Sequence, residues 1–425
     1  MNGKSLVPLS DLIEIEHGYA FSGQYFTETP TDHVLLTLGN FTKDRRISLQ
    51  QRITYYDGPI PEKHLLQDGD LLIVLTDLKS DMPILGSAAI LPSGSDKKIL
   101  QNQRIGKVIP KSHDIDREFL CHLLNSHAVR TEIKTTAAGT TARHTSPGKI
   151  LRIMVWLPKI SEQRKIAALL SQWDRAILLQ ERLITAKNRK RQGLAQQLLS
   201  GKKRFPRFIR PEKTRAPTMD QTKASQTTRE HRAPYPGAYP DDWEYPRIGE
   251  IAHQVTEKNR QGEAFPILSC TKHWGLVDSA RYFGGRPIKK DLSTYKLIRR
   301  GVFVYATNHI EEGSIGYQDL HDQALVSPMY TAFRTCDRVY DQFLYLILKT
   351  ERYRRIFAIK TNASVDRRGG LRWKEFTGIR IPLPSREEQQ HISRVFTSLD
   401  REIHLLQQQL TALRRQKKGL MQKLL

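Results

Sequence analysis

A chain of 425 residues is longer than one hydrophobic core usually organises, so at least two domains are expected. Hydrophobic residues make up 39% of it without any run long enough to span a bilayer, and the first dozen residues lack the apolar stretch and cleavage site of a secretion signal. A transmembrane role is therefore excluded, no membrane is expected among its partners, and a cytoplasmic location is expected. The formal charge of +24 points to nucleic acid, because Lys and Arg that neutralise phosphates gain affinity by releasing counterions.

Residues 1–157 are nearly balanced in charge and read as a first mixed α/β domain. Leu9–Ile13 and Gly69-Asp70-Leu71-Leu72 open apolar runs. Residues 117–134 have helical spacing, while Ile153, Val155 and Leu157 alternate as in a strand. Its loops carry basic and polar residues: Lys43 with Arg45 and Arg46, then Lys79, Arg104, and a Gly-Thr-Thr-Ala run ending in Arg143 and His144. Residues 158–201 read as one long helix, and 202–242 as a basic, Pro-rich linker. More than half of the positive surplus falls within 158–232, a stretch that as a charge run alone could equally be a solvated tether. Residues 243–383 repeat the first pattern more faintly. Ile248–Ala252 answers Leu9–Ile13, Gly301-Val302-Phe303-Val304 answers the run at Gly69, 341–359 reads as helix, and Ile379, Ile381 and Leu383 alternate. Its loop clusters are Lys272-His273, Asn308-His309 and Arg367-Arg368 with Arg372. Residues 384–425 form a second long helix.

The two long helices are copies. A displacement of 226 residues aligns Pro158–Leu199 with Pro384–Leu425 without a gap, pairing Pro158 with Pro384, Glu162 with Glu388, Gln163 with Gln389, Ile166 with Ile392, Asp174 with Asp400, and Leu179 with Leu405. Both have acidic first turns, which complement the helix dipole, and basic, Leu-rich ends. In the second copy Phe396, Ile403, Leu410 and Leu424 form one heptad row around Lys417, and Ile392, Leu399, Leu406, Leu413 and Leu420 form the row that meets it. The first copy has a weaker seam of Ile166, Leu170, Trp173, Ile177, Ile184, Leu194 and Leu198, interrupted by Gln180, Lys187 and Arg191. This is a coiled-coil pattern. Parallel pairing would bring the equivalent Arg191 and Lys417 together, so an antiparallel pair is expected. A rod of about 60 Å would hold two similar domains at its ends, related by a pseudo-two-fold axis. The fold class expected is thus α+β, with two mixed α/β domains separated by an antiparallel coiled coil. Two separate amphipathic helices are the plainer alternative.

No catalytic site emerges. A phosphate-cradling G-x-x-x-x-G-K-[ST] loop is absent, as are a dinucleotide-type G-x-G-x-x-G and an Asn- or Asp-Pro-Pro-aromatic segment. The acidic groups Asp68-x-Asp70 and Asp241-Asp242-x-Glu244 fall in a turn and the linker, and His309 with Glu311-Glu312 reads as a loop histidine more readily than as a metal or acid/base centre. Cys121, Cys270 and Cys336 are far apart and are expected to be small buried residues. The chain is therefore expected to be no enzyme by itself, and to hold neither metal nor cofactor. The loop clusters remain. Arg reads guanine and Asn reads adenine in the major groove, while Lys grips phosphate, so these loops suit base readout, although any one of them taken singly reads as solvated surface.

A variable domain followed by a Pro-x-x-x-Glu-Gln-x-x-Ile helix ending Gly-Leu-x-Gln-x-Leu-Leu, and then both again, resembles the specificity subunit of type I restriction–modification systems. The residues that carry the resemblance are Pro158, Glu162, Gln163, Ile166, Gly193, Leu194, Gln196, Leu198 and Leu199, continuing as Ser200-Gly201-Lys202, with their counterparts from Pro384 to Leu425 and the approach Leu371-Arg372-Trp373-x-x-Phe376. It spans essentially the whole chain. The linker at 203–242 is longer than the family requires, and Ser146-Pro147-Gly148 stands where Arg372-Trp373-Lys374 would. The resemblance implies two target-recognition domains, each reading half of a bipartite DNA site, with the helices as a ruler. It also implies two methyltransferase subunits docked on those helices, binding S-adenosylmethionine and flipping out adenines, and restriction subunits that use ATP and Mg. A related methyltransferase–nuclease without a separate motor would use a similar subunit. A coiled-coil scaffold for other proteins is the alternative from another class, and a self-contained enzyme the third.

Overall fold

The computed structural model describes residues 6–42, 44–50, 52–209, 239–284, 291–362 and 370–425. Lys43, Arg367 and Arg368, and the linker between 210 and 238, lie outside the described residues. Among those described, six helices run to eight residues or more: α1 (Arg117–Leu124), α2 (His127–Thr135), α3 (Ile160–Leu198), α4 (Asp341–Leu348), α5 (Glu351–Asn362) and α6 (Arg386–Leu424). The chain divides into two units, Met1–Leu183 with Leu406–Leu425, and Ile184–Leu405. Each long helix thus gives one end to each unit.

The first unit has a four-stranded antiparallel sheet in the order Ile13–His17, Ile105–Pro110, Leu71–Val74, Ala88–Ile90. A second sheet includes a single parallel pair, Lys98–Gln101 with His33–Leu36. Leu71–Val74 is apolar and buried throughout, as a strand covered on both faces must be. Its core joins Ile73, Phe119, Leu120 and Ile133 to Ile166 and Leu170 of α3 and Met421 of α6. The second unit repeats this plan. An antiparallel sheet runs Ala252–Val255, Tyr330–Thr335, Phe303–Ala306, Ile315–Tyr317, and a second sheet pairs Ile267–Thr271 in parallel with Gln323–Val326. Phe303, Phe333, Phe343 and Phe376 pack there with Leu198 of α3 and Ile392 and Phe396 of α6.

Four expectations change. The helix expected over 117–134 is two helices, because Asn125 closes α1 by exchanging two hydrogen bonds with the Ala88 backbone and Ser126 caps α2 through Val129 N–H. The stretch over 341–359 breaks at the corresponding Lys349, whose ammonium donates to the carbonyls of Gly313 (2.8 Å) and Lys272 (3.0 Å). Ile379, Ile381 and Leu383 are buried but make no regular strand, since the neighbouring segment meets them only at the bridges Glu244–Leu383 and Arg247–Arg380. The three cysteines are half-buried residues rather than fully buried ones, although the Cys121 and Cys270 thiols point inward and donate to the carbonyls of Ala88 and Val304.

The Glu-Gln motif has a physical reason. Gln163, 1% exposed, accepts from Asp116 N–H (2.9 Å) and donates to the carbonyls of Asp114 (3.1 Å) and Pro158 (2.9 Å). Gln389, fully buried, repeats all three bonds with Tyr340, Arg338 and Pro384. In both units one amide therefore welds the start of a long helix to the loop that opens α1 or α4.

Within each unit the long helices run antiparallel. In the first, Lys417 pairs with Asp174 (2.5 Å) and Gln180 donates to Leu406 O (3.0 Å), so positions ascend on α3 as they descend on α6. In the second, Lys187 meets Glu402 and Arg191 meets Asp400, both at 2.5 Å. The equivalent cations Arg191 and Lys417 thus pair with the equivalent carboxylates Asp400 and Asp174, and the Arg191 guanidinium also lies 5.6 Å over the ring of Phe396 in the apolar N-terminal half of α6. Ile166, Leu170, Ile177, Leu198, Ile392, Phe396, Leu399 and Ile403 are buried, while Trp173, Ile184, Leu194, Leu406, Leu410, Leu413, Leu420 and Leu424 are half-buried. No helix among the described residues is long and apolar enough to cross a membrane.

Candidate nucleic-acid interface

In the first unit the short segment Leu75–Asp77 leaves the strand at 71–74 and is framed on both sides. Leu75 N–H donates to the Arg104 carbonyl (2.9 Å), and Thr145 N–H donates to the Leu75 carbonyl (3.0 Å). Arg143 and His144 pair in antiparallel register with Asp77 and Thr76, and the His144 Nδ1 lies 3.0 Å from the Thr76 hydroxyl. Buried Asp77 accepts from the backbone N–H groups of Lys79, Ile84 and Leu85, which fixes the loop carrying exposed Leu78 and Lys79. At Gly139, φ is +100°, and a Cβ there would lie 2.0 Å from Ala142 O, so only glycine closes the 138–144 turn that delivers Arg143. Four expected residues, Lys79, Arg104, Arg143 and His144, thus converge on one strip. Arg104, Lys79 and His144 are exposed, whereas Arg143 is half-buried and its Nε has no hydrogen-bond partner.

The second unit builds the same strip from other residues. Leu371 N–H donates to the Thr307 carbonyl (2.9 Å), the counterpart of the bond from Thr145 to Leu75. On the other side the Thr307 hydroxyl donates to Met329 O (3.2 Å). Asn308 lies against Gly370, where a Cβ would come within 2.7 Å of its Oδ1. His309 lies 3.5 Å from Glu312, and Glu312 3.7 Å from Lys272, so the turn carrying Lys272 and His273 borders the strip. Arg372 is exposed and opens the helical turn Trp373–Thr377 just beyond it. The ligand atoms of His309, Glu311 and Glu312 lie within 4.8 Å of one another, and the Lys272 ammonium lies 3.7 Å from Glu312.

Two expected contacts are used inside the fold. Arg45, at φ +61°, donates to Asn125 O; burial lowers its pKa, and Asp174 partly offsets that. Arg46 pairs with Glu181 of α3, and Arg414 of α6 reaches both Asp44 (2.9 Å) and Glu181 (2.8 Å). This loop therefore clasps the long helices. The sequence reading missed three exposed apolar residues beside the strips: Leu78 (58% exposed), Trp274 (73%) and Met329 (66%). The Lys-His-Trp-Gly turn was a usable signal for Trp274, because the tip of a tight turn has nothing to pack against.

The doubled plan of the chain is matched by comparisons with known proteins. A family model described as the type I restriction modification DNA specificity domain matches twice, over residues 2–187 and 240–415. The chain belongs to this family. It is similar to the type I restriction enzyme MjaVIII specificity subunit of Methanocaldococcus jannaschii, with 26% identity over 200 residues, 46% of this chain and 45% of that protein. It is also similar to the putative type I restriction enzyme MjaX specificity subunit of the same organism, with 23% identity over 198 residues, 44% and 46% of the two chains. The matched stretch spans about half the length of these relatives. In fold it resembles the type I restriction–modification S subunit of M. genitalium, with a TM-score of 0.55, 16% identity and coverage of 100% and 97% of the two chains. A chain from a study of complex assembly and conformational transition in the type I R-M system gives a TM-score of 0.52, 15% identity and coverage of 100% and 98%. Family membership makes each unit a DNA-binding target-recognition domain in kind.

Proposed function

We infer that this chain is the DNA sequence-specificity subunit of a cytoplasmic type I restriction–modification complex, and that its two domains each read one half of a bipartite duplex site. The observation that carries this is the pair of strips. One backbone frame holds Thr76, Lys79, Arg104, Arg143 and His144 in one unit and Asn308, His309, Lys272 and Arg372 in the other. A frame kept while its contact residues differ suits two readers of different base sequences. Arg367 and Arg368 belong to the same proposal by their position in the sequence just before Gly370.

The chain supplies address, and the chemistry is proposed to come from its partners. Methyltransferase subunits would bring S-adenosylmethionine, and restriction subunits ATP and Mg. Docking of two methyltransferase subunits on the long helices is supported by side chains that the helix repeat duplicates and leaves exposed. Leu179 (56% exposed) and its identical counterpart Leu405 (50%) each follow an exposed arginine one turn earlier, Arg175 or Arg401. A stripe repeated on two helices suits one kind of partner bound twice. The test is to co-express the chain with its methyltransferase subunit and map methylated adenines across a genome. Two unlike half-sequences separated by a fixed gap are expected. Methylation at a single uninterrupted site, or none that depends on this chain, would contradict the reading.

A further inference from the structure

Among the described residues the most exposed large hydrophobic side chain is that of Trp274, at 73%. It sits at the tip of the turn between Ile267–Thr271 and Gly275–Asp278. The Thr271 hydroxyl accepts from Trp274 N–H (3.2 Å) and donates to Gly275 O (3.0 Å). Gly275 has φ +68° and is pressed against the Tyr345 hydroxyl, where a Cβ would lie at 2.6 Å. The turn therefore has little freedom to tuck the indole against the body of the unit, and the ring is held in water at a standing hydrophobic cost.

Its surroundings point to what covers it. Lys272, two residues earlier, contacts Glu312, which contacts His309, next to Asn308 on the strip. On the strip's other side Met329 is 66% exposed beside Thr307. Polar groups able to read base edges are thus bracketed by two apolar side chains, with a cation adjoining. An apolar ligand would not want the Lys and Asn, and a phosphate backbone alone would not want the indole. A nucleobase, with hydrogen-bonding edges, a π face and a phosphate nearby, uses all of them. In the first unit the connection after His33–Leu36 buries its ring, Phe41, in the core, and reaches the long helices through Arg46.

We propose that Trp274 is a base-stacking wedge, entering the duplex at one step of the half-site read by the second unit and unstacking it. This rests on the specificity-subunit reading given above. The test uses the full chain in complex with its methyltransferase subunit and duplexes carrying the mapped site, with 2-aminopurine substituted at successive positions. Wild type should raise 2-aminopurine fluorescence at one step of a single half-site. Trp274→Ala should abolish that signal and weaken binding about tenfold, Trp274→Phe should keep most of both, and Ile359→Ala, at an equally exposed residue on α5, should change neither. Thermal melts of each variant separate lost contact from lost fold. Binding by Trp274→Ala within twofold of wild type, or no unstacked step in wild type, overturns the wedge and leaves the specificity reading standing. A wild-type complex that does not prefer the mapped duplex overturns both.

Discussion

The two units start from one plan and diverge at two kinds of place. The helix start of the second unit buries Glu388, where Arg204 binds it with two hydrogen bonds while also forking onto Asp242, and Trp243 donates its indole N–H. Its identical counterpart in the first unit, Glu162, is exposed. The reach of the loops differs as well, since the first unit's Arg45–Arg46 loop clasps the long helices and the second unit's turn at Trp274 stops short in solvent. By contrast Gln163 and Gln389 make the same three bonds. What stays fixed is what joins helix to domain, and what varies is what surrounds or extends beyond that joint.

The sharpest way to break this comparison is to remove the same carboxylate from both units. Glu388→Ala should cost about 3 kcal/mol in denaturant unfolding, because it leaves the Trp243 indole N–H and two N–H groups of Arg204 without an acceptor while Asp242 still pairs the charge, whereas Glu162→Ala should stay within about 0.5 kcal/mol. Equal losses would deny the asymmetry. Next come Gln163→Ala and Gln389→Ala, each expected to cost about 2–3 kcal/mol by leaving an N–H and two carbonyls unpaired. A marked difference between them would show that the two joints are not equivalent.

A smaller effect concerns His122 of α1, whose place in α4 is taken by Leu346. Burial, reinforced by Lys417, pushes the His122 pKa down to about 4. The unfolded chain takes up this proton near pH 6.5 and the folded chain only near pH 4, so stability falls as pH drops through that window. His122→Leu should remove about 2 kcal/mol of the loss between pH 6 and 4.5, read from unfolding curves at each pH. An unchanged acid slope would place the titration elsewhere. Smallest is Arg46→Ala, where a partly exposed ion network predicts a cost of about 0.5 kcal/mol.

The duplication, the seam and the antiparallel pairing were legible in the sequence, because a repeated heptad pattern and two equivalent cations constrain orientation strongly. The break at Asn125–Ser126 was not. Helical spacing continues through it, and the helix is stopped by the two bonds of Asn125 to a distant strand residue, Ala88, together with the Ser126 cap of α2. The loop cations were recognisable as a class but not in their individual roles. Lys79, Arg104 and Arg143 meet through backbone pairings across nearly 70 residues, while Arg45 and Arg46, composed no differently, find carbonyl and carboxylate partners inside the unit.

Most direct is to map adenine methylation in cells carrying the chain with Arg143→Ala or with Asn308→Ala. Each change should loosen sequence preference at one half of the site, by about 1–3 kcal/mol per lost base contact, leaving the other half and the gap between them intact. If either substitution relaxed both halves together, or weakened methylation evenly at every site, the assignment of one reader to each unit would be wrong.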